Sequence, residues 1–259
     1  MGRRTGYTNG TFSWADLATT DVAGAKDFYG RLVGWEPQDR AGAAGPYTVL
    51  RLDGDAVAGL FGQSQEQRAA GVPARWLCYV TVDGVDDTVA RAVELGGTVV
   101  NEPVDVEDAG RMAVIADRGG ARLALWEPRA TIGATRVNDP GCMCWNDLVT
   151  SDIEAAARFY GELFGWEARE LPQAGGYRVI HNGGRTNGGL MPAQLVGWQG
   201  PGYWLPYFNA GELGRAVAAV GEGGGRVVVE PQAVPAGRFA IATDPQGAPF
   251  ALFEGSVDD

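Results

Sequence analysis

Between Thr11 and Thr19 apolar and polar side chains alternate as they do on a half-buried strand. The spacing then becomes helical through Ala25, Phe28, Tyr29, Leu32 and Val33. Asp21 stands at the N-cap of that helix, where a carboxylate can accept a free backbone N–H of the first turn, and Gly34 stands at its end, where a left-handed residue stops a helix. Extended segments are expected around Trp35-Glu36, Tyr47 to Leu52 and Ala56 to Phe61. A second unit repeats the order: a strand from Trp76 to Val82, a helix over about 85–95 closed by Gly96-Gly97, and strands near 98–104, 111–116 and 121–126. Each unit therefore reads βαβββ.

The same text is then written again. Phe12-Ser13-Trp14-Ala15-Asp16-Leu17 returns as Met143-Cys144-Trp145-Asn146-Asp147-Leu148, and Phe28-Tyr29-Gly30 with Gly34-Trp35 returns as Phe159-Tyr160-Gly161 with Gly165-Trp166. The offset is constant, since 145 − 14 and 166 − 35 both equal 131. A solenoid repeat runs only about 20 to 50 residues, so a period this long marks duplication of a whole domain. The expected architecture is α+β, with four βαβββ modules arranged as a first domain over 10–127, a connection over 128–140 rich in Pro, Gly, Asn and Asp, and a second domain over 141–254.

Composition narrows the function classes. A chain of 259 residues with 45% hydrophobic and 10% aromatic content can fill two cores. A formal charge of −11 argues against nucleic acid, whose phosphates call for a basic face. No stretch approaches the roughly 18 apolar residues of a membrane span, so a soluble, cytoplasmic protein without membrane partners is expected. Cys78, Cys142 and Cys144 form neither a disulfide framework nor a zinc set in a chain with one histidine. That histidine, His181, has no counterpart in the first half and reads as an exposed or structural residue at a strand end. The glycine clusters lack a phosphate-loop pattern and read as turns.

Several ordered motifs carry a resemblance: Trp14-x-Asp-Leu, Asp21, Phe28-Tyr29, Gly34-Trp35, the Gly59-Leu60 and Gly189-Leu190-Met191-Pro192 strands, and the turns at Asp117 to Gly120 and Asp244-Pro245-Gln246-Gly247. Together they resemble the vicinal oxygen chelate superfamily of glyoxalase I, extradiol dioxygenases and bleomycin-resistance proteins. The style is that of tandem glyoxalase-like or hydroxylase-like members of antibiotic-producing bacteria. The resemblance implies cupped mixed sheets, with helices outside and a ligand cavity inside, and a divalent metal held from the first and last strands of paired units. It places Trp14, Trp76, Trp145 and Trp204 at first-strand ligand positions and Ala124 and Ala251 where a glutamate is usual. An indole nitrogen only donates and a methyl group offers no lone pair, so no metal and no other cofactor is expected.

What stands in place of metal ligands suggests a planar, apolar small molecule. Trp14, Trp76, Trp126, Trp145, Trp204 and Phe253 are the expected stacking surfaces, with Asp16 and Asp147 on the strand face of Trp14 and Trp145. Asp16 and Asp147 are also the candidate catalytic bases. Two readings of these residues stay open, ligand lining and simple core filling. Phe28-Tyr29 and its copy read as helix packing with the tyrosine hydroxyl at the rim, and Trp35 and Trp166 as seals between helix and sheet. A metal-free binder, a metal-free enzyme or accessory factor of secondary metabolism, a metal-dependent lyase or dioxygenase, and an interaction module with self-filled cups are the competing functions. A covalent tandem supplies the paired interface within one chain, so a monomer with an internal pseudo-dimer is expected.

Overall fold

The computed structural model describes residues 2–42 and 45–256. The first half runs β1 (Phe12–Thr19), α1 (Val22–Val33), β2 (Glu36–Gly42), β3 (Gly45–Leu52), β4 (Asp55–Gly62), the short α2 (Gln65–Ala69), β5 (Arg75–Thr81), α3 (Val85–Glu94), β6 (Thr98–Val106), β7 (Gly110–Ala116) and β8 (Arg122–Pro128). The second half runs β9 (Met143–Thr150), α4 (Ile153–Phe164), β10 (Glu167–Glu170), β11 (Arg178–Asn182), β12 (Arg185–Pro192), a 3-10 turn at Ala193–Val196, β13 (Tyr203–Asn209), α5 (Leu213–Glu222), β14 (Arg226–Val234), β15 (Gly237–Thr243) and β16 (Pro249–Gly255). The helix limits follow the chemistry read from the sequence. Asp21 and Asp152 accept from Gly24 N and Ala155 N, and Gly34 and Gly165 close the helices with φ of 79° and 76°.

Each half builds one mixed eight-stranded sheet, in the orders β2-β3-β4-β1-β5-β8-β7-β6 and β10-β11-β12-β9-β13-β16-β15-β14. Among the described residues no strand exchanges between the halves. In each sheet the opening strands of the two modules pair antiparallel at the centre, β1 with β5 and β9 with β13. That seam gives each sheet a pseudo-twofold axis and sets what faces the cup.

The other face of each sheet carries the helices, and these faces meet. α1 lies against α5 and α3 against α4, so the helices that flank each cup become the shared middle of the molecule. One hydrophobic core runs through both halves there, from Leu17, Tyr29, Trp76 and Leu125 to Leu148, Tyr160, Trp204 and Leu252. Two smaller clusters fill the concave faces, around Trp14, Tyr79, Ala124 and Trp126 in the first cup and around Tyr207, Ile241, Ala251 and Phe253 in the second.

Two mirrored hydrogen-bond chains tie the halves together in this middle layer. Trp76 Nε1–H donates to Tyr29 Oη at 3.0 Å, and Tyr29 donates to Asp244 Oδ2 of the other half at 3.2 Å. Trp204 donates to Tyr160 at 3.0 Å, and Tyr160 to Asp117 at 3.1 Å. The same aspartates order their own turns, with Asp117 Oδ1 accepting from Ala121 N and Asp244 Oδ1 from Ala248 N. Tyr29 and Tyr160 are thus buried fasteners between halves, and their hydroxyls are nowhere near a cup rim. Trp35 and Trp166 also cross over: their indoles donate to Gly141 O and Gly10 O and their rings pack on Phe208 and Phe12.

Candidate functional site

Strand pairing decides which residues share a cup. Asp16 lies opposite Leu77 and Trp14 opposite Tyr79, while Trp76 pairs with Leu17. Directly paired residues point to the same face, so Leu77 and Tyr79 join Trp14 and Asp16 in the cup and Trp76 turns to the helix side. The second half behaves alike: Leu205 opposes Asp147, Tyr207 opposes Trp145, and Trp204 opposes Leu148. Trp76 and Trp204 are therefore removed from the expected ligand surface. A shift of one residue in register exchanges the faces of a strand, so the side on which these two tryptophans lie is set by strand pairing and not by their place in the repeat. Cys78, on the face of Trp76, is likewise fully buried among helix-side residues.

The remaining candidates do come together. In the first cup Asp16 Oδ1 accepts from Tyr47 Oη at 2.6 Å and from Trp14 Nε1 at 2.8 Å, and Asp16 Oδ2 accepts from Tyr79 Oη at 2.7 Å. In the second cup Asp147 Oδ1 accepts from Tyr177 Oη at 2.7 Å and Trp145 Nε1 at 2.9 Å, and Oδ2 accepts from Tyr207 Oη at 2.7 Å. The indole also lies 3.1 Å from Tyr47 Oη in one cup and 3.0 Å from Tyr177 Oη in the other. The two clusters match donor for donor and atom for atom. Gly59 and Gly189 make room for them on the neighbouring strands, because a Cβ at either position would overlap the carboxylate oxygen and the tyrosine hydroxyl. Trp126 and Phe253 stand nearby on the cup face of the last strand of each half.

Both carboxyls are almost wholly excluded from water, Asp16 at 5% exposure and Asp147 at 2%. Burial drives their pKa values upward and the three donors pull them partly back, with Asp147 ending pushed up to about 6. The four tyrosines are held well above their usual value by burial and by the adjacent carboxylate, so they remain donors at neutral pH. A carboxylate offers roughly four lone-pair sites, and three are used. What is left is one acceptor position beside an aromatic wall. Asp147 also sits in the range suited to proton transfer near neutrality.

The donor set does not fit a divalent ion. Each cup floor offers one carboxylate already bonded to three donors, beside indole, phenol and methyl groups. Among the described residues no three His, Cys, Asp or Glu side chains gather into a metal-sized group. His181 lies on β11, paired with Glu167 and half-buried. Two depressions lie outside both cups, one on the β2–β3 hairpin at Asp39, Arg40 and Pro46, the other between α1 and α5 at Arg31, Arg215 and Glu222. The cups present packed aromatic floors. Among the described residues no helix is long and apolar enough to cross a membrane.

The tyrosines of the clusters were missing from the expected site, although their repetition was available. Tyr47 and Tyr177 are 130 residues apart and Tyr79 and Tyr207 are 128 apart, close to the 131 of the tryptophan–aspartate pair. Only the curl of the sheet shows that these four positions converge on two carboxylates.

Comparison with known proteins agrees with this architecture. The sequence profile of the Glyoxalase/Bleomycin resistance protein/Dioxygenase superfamily matches residues 11–125 and, a second time, 142–252. The chain belongs to this superfamily. CFP32 of Mycobacterium tuberculosis, which carries a provisional glyoxylase name, is 38% identical over 259 residues, covering 98% of each chain. The anthracycline biosynthesis protein DnrV of Streptomyces peucetius is 33% identical over 264 residues, covering 96% of this chain and 95% of DnrV. Among solved structures, the Mn(II)-bound glyoxalase of Novosphingobium aromaticivorans superposes with a TM-score of 0.68 at 15% identity, over 100% of this chain and 85% of that one. The 2,3-dioxygenase LapB of Pseudomonas sp. KL28 gives 0.67 at 13% identity, over 96% and 94%. At these identities the superfamily structures share the fold with this chain and nothing finer.

Proposed function

We propose that this superfamily member binds a planar, largely apolar small molecule, an antibiotic or secondary metabolite, on an aromatic cup floor, without metal or other cofactor. The observation that carries the reading is the aspartate–tyrosine–tyrosine–tryptophan cluster, which fills the floor of each cup with donors and π-faces. Aromatic faces stack on planar ligands, each favourable pair contributing about 0.5 to 1.5 kcal/mol beyond area burial. The relatives DnrV and DauV are named for anthracycline biosynthesis, and anthracyclines contain fused planar rings of this kind. The core shared by the two halves supports a chain that works as a monomer.

Titration of chelator-treated protein with hydroxylated anthraquinones, followed by tryptophan fluorescence, tests the reading. Saturable quenching that EDTA leaves unchanged is expected. Absence of saturable binding, or binding that appears only after a divalent metal is restored, rejects it.

A second reading is favoured by Asp147 alone: a metal-free enzyme or accessory factor of secondary metabolism in which this carboxyl, pushed up to about 6, serves as the base. Turnover lost in Asp147→Asn with ligand affinity retained would select this reading over pure binding.

A further inference from the structure

The two cups carry the same cluster under different covers. After β8 the chain turns back over the first cup: Thr131 O accepts from Trp126 Nε1 at 2.9 Å, Ala134 N donates to Ser13 O at 2.8 Å, and Thr135 N donates to Ala56 O at 2.8 Å. Ala134 is fully buried and Val137 nearly so, both packed with Trp14, Val49, Tyr79 and Trp126. Tyr7, from the segment before β1, packs on the same cluster and donates to Ala134 O at 2.7 Å. The residues left half-buried around this cup are Tyr7, Tyr47, Ala56, Leu77, Ala109 and Met112, of which the two tyrosines alone are aromatic.

In the second cup Phe253 replaces Trp126 and has no N–H with which to hold a returning strand. The 3-10 turn at Ala193–Val196 covers a different part, over Met191 and Leu205. Trp145, Tyr177, Tyr203 and Phe239 are all left half-buried. Two of these are aromatic only in this half. Phe239 lies opposite Phe253 as Met112 lies opposite Trp126, and Tyr203 precedes Trp204 as Arg75 precedes Trp76. Trp198, 42% exposed, extends the wall by meeting Tyr203 edge-on at 5.0 Å.

We infer that the connection at 131–137, with Tyr7, is a built-in occupant of the first cup, and that one planar ligand binds per chain, against Trp145, Tyr177, Tyr203 and Phe239 of the second. This rests on the binding reading above and adds the cup, the stoichiometry and the residues. Apolar backbone and side chains of the chain itself satisfy the first cup at no cost in association entropy, which a free ligand would have to overcome. The second cup keeps wet aromatic surface whose burial is still to be gained.

Isothermal titration calorimetry of the full chain with 1,8-dihydroxyanthraquinone, with thermal unfolding of each variant as a folding control, tests the assignment. One site per chain is expected. Phe239→Ala should weaken it at least tenfold, while the mirrored Met112→Ala changes affinity less than twofold. Tyr203→Ala, at the rim, gives a second variant should Phe239→Ala fail to fold. Two sites per chain, or a single site that ignores the second-cup variants, overturn the assignment and leave the binding reading standing. Absence of any saturable heat or quenching overturns both.

Discussion

Replacing Asp147 by asparagine should remove a specific pH dependence of stability. The carboxyl is 2% exposed, and burial moves its pKa from an ordinary 3.8 to about 6. Between those values the folded protein holds a proton that the unfolded chain has released, so stability falls as pH rises. The stabilising contribution is complete below about pH 4 and is lost as pH passes through about 6. A shift of about two units at ~1.36 kcal/mol each makes the loss about 3 kcal/mol. Asparagine does not titrate. Its Oδ1 can keep the bonds from Tyr177 and Trp145, and its Nδ2 can donate to Tyr207 Oη once that hydroxyl rotates. Urea denaturation followed by far-ultraviolet circular dichroism at intervals from pH 4 to 7.5 is the assay. Asp16, Asp117 and Asp244 are also raised by burial, but they are common to both proteins and cancel in the difference. The expected result is a wild-type curve that drops relative to Asp147→Asn by about 3 kcal/mol across this window. Curves that stay parallel within about 1 kcal/mol would show that the carboxyl is not held protonated by its surroundings, and the reasoning would fail.

Other consequences concern packing and thiols. Gly59→Ala and Gly189→Ala each push a Cβ into an aspartate–tyrosine bond, and losing a hydrogen bond to a charged group costs about 1.5 to 3 kcal/mol, so each variant should show a lower urea midpoint with an unchanged m-value. Tyr160→Phe leaves Trp204 Nε1–H and Asp117 Oδ2 without their shared partner, for a loss of about 2 to 4 kcal/mol in the same assay, and Tyr29→Phe should match it through Trp76 and Asp244. Burial raises the thiols of Cys78, Cys142 and Cys144, Cys142 to about 12, so Ellman's reagent at pH 8 should find no reactive thiol in native protein and three in urea. A fast-reacting native thiol would contradict the placement of that cysteine in the core.

Element order, the helix ends at Asp21, Gly34, Asp152 and Gly165, the duplication and the family likeness were all legible in the chain, because each depends on neighbours within a few residues or on comparing two copies of one text. Asp16 with Trp14 and Asp147 with Trp145 were also within reach, since residues two apart on a strand share a face. The face of Trp76 and Trp204 was not, because it depends on the register of β5 against β1 and of β13 against β9, set by partners more than 50 residues away. Nor did the sequence show that Tyr29 and Tyr160 fasten the halves rather than reach a rim, or that the connection covers one cup and spares the other. Local periodicity and cap chemistry therefore determined which elements form and that they form twice. Tertiary structure alone decided which side chains converge on each buried carboxylate and which aromatic surface stays wet, because convergence is set by sheet curl and long-range register, which no local pattern encodes.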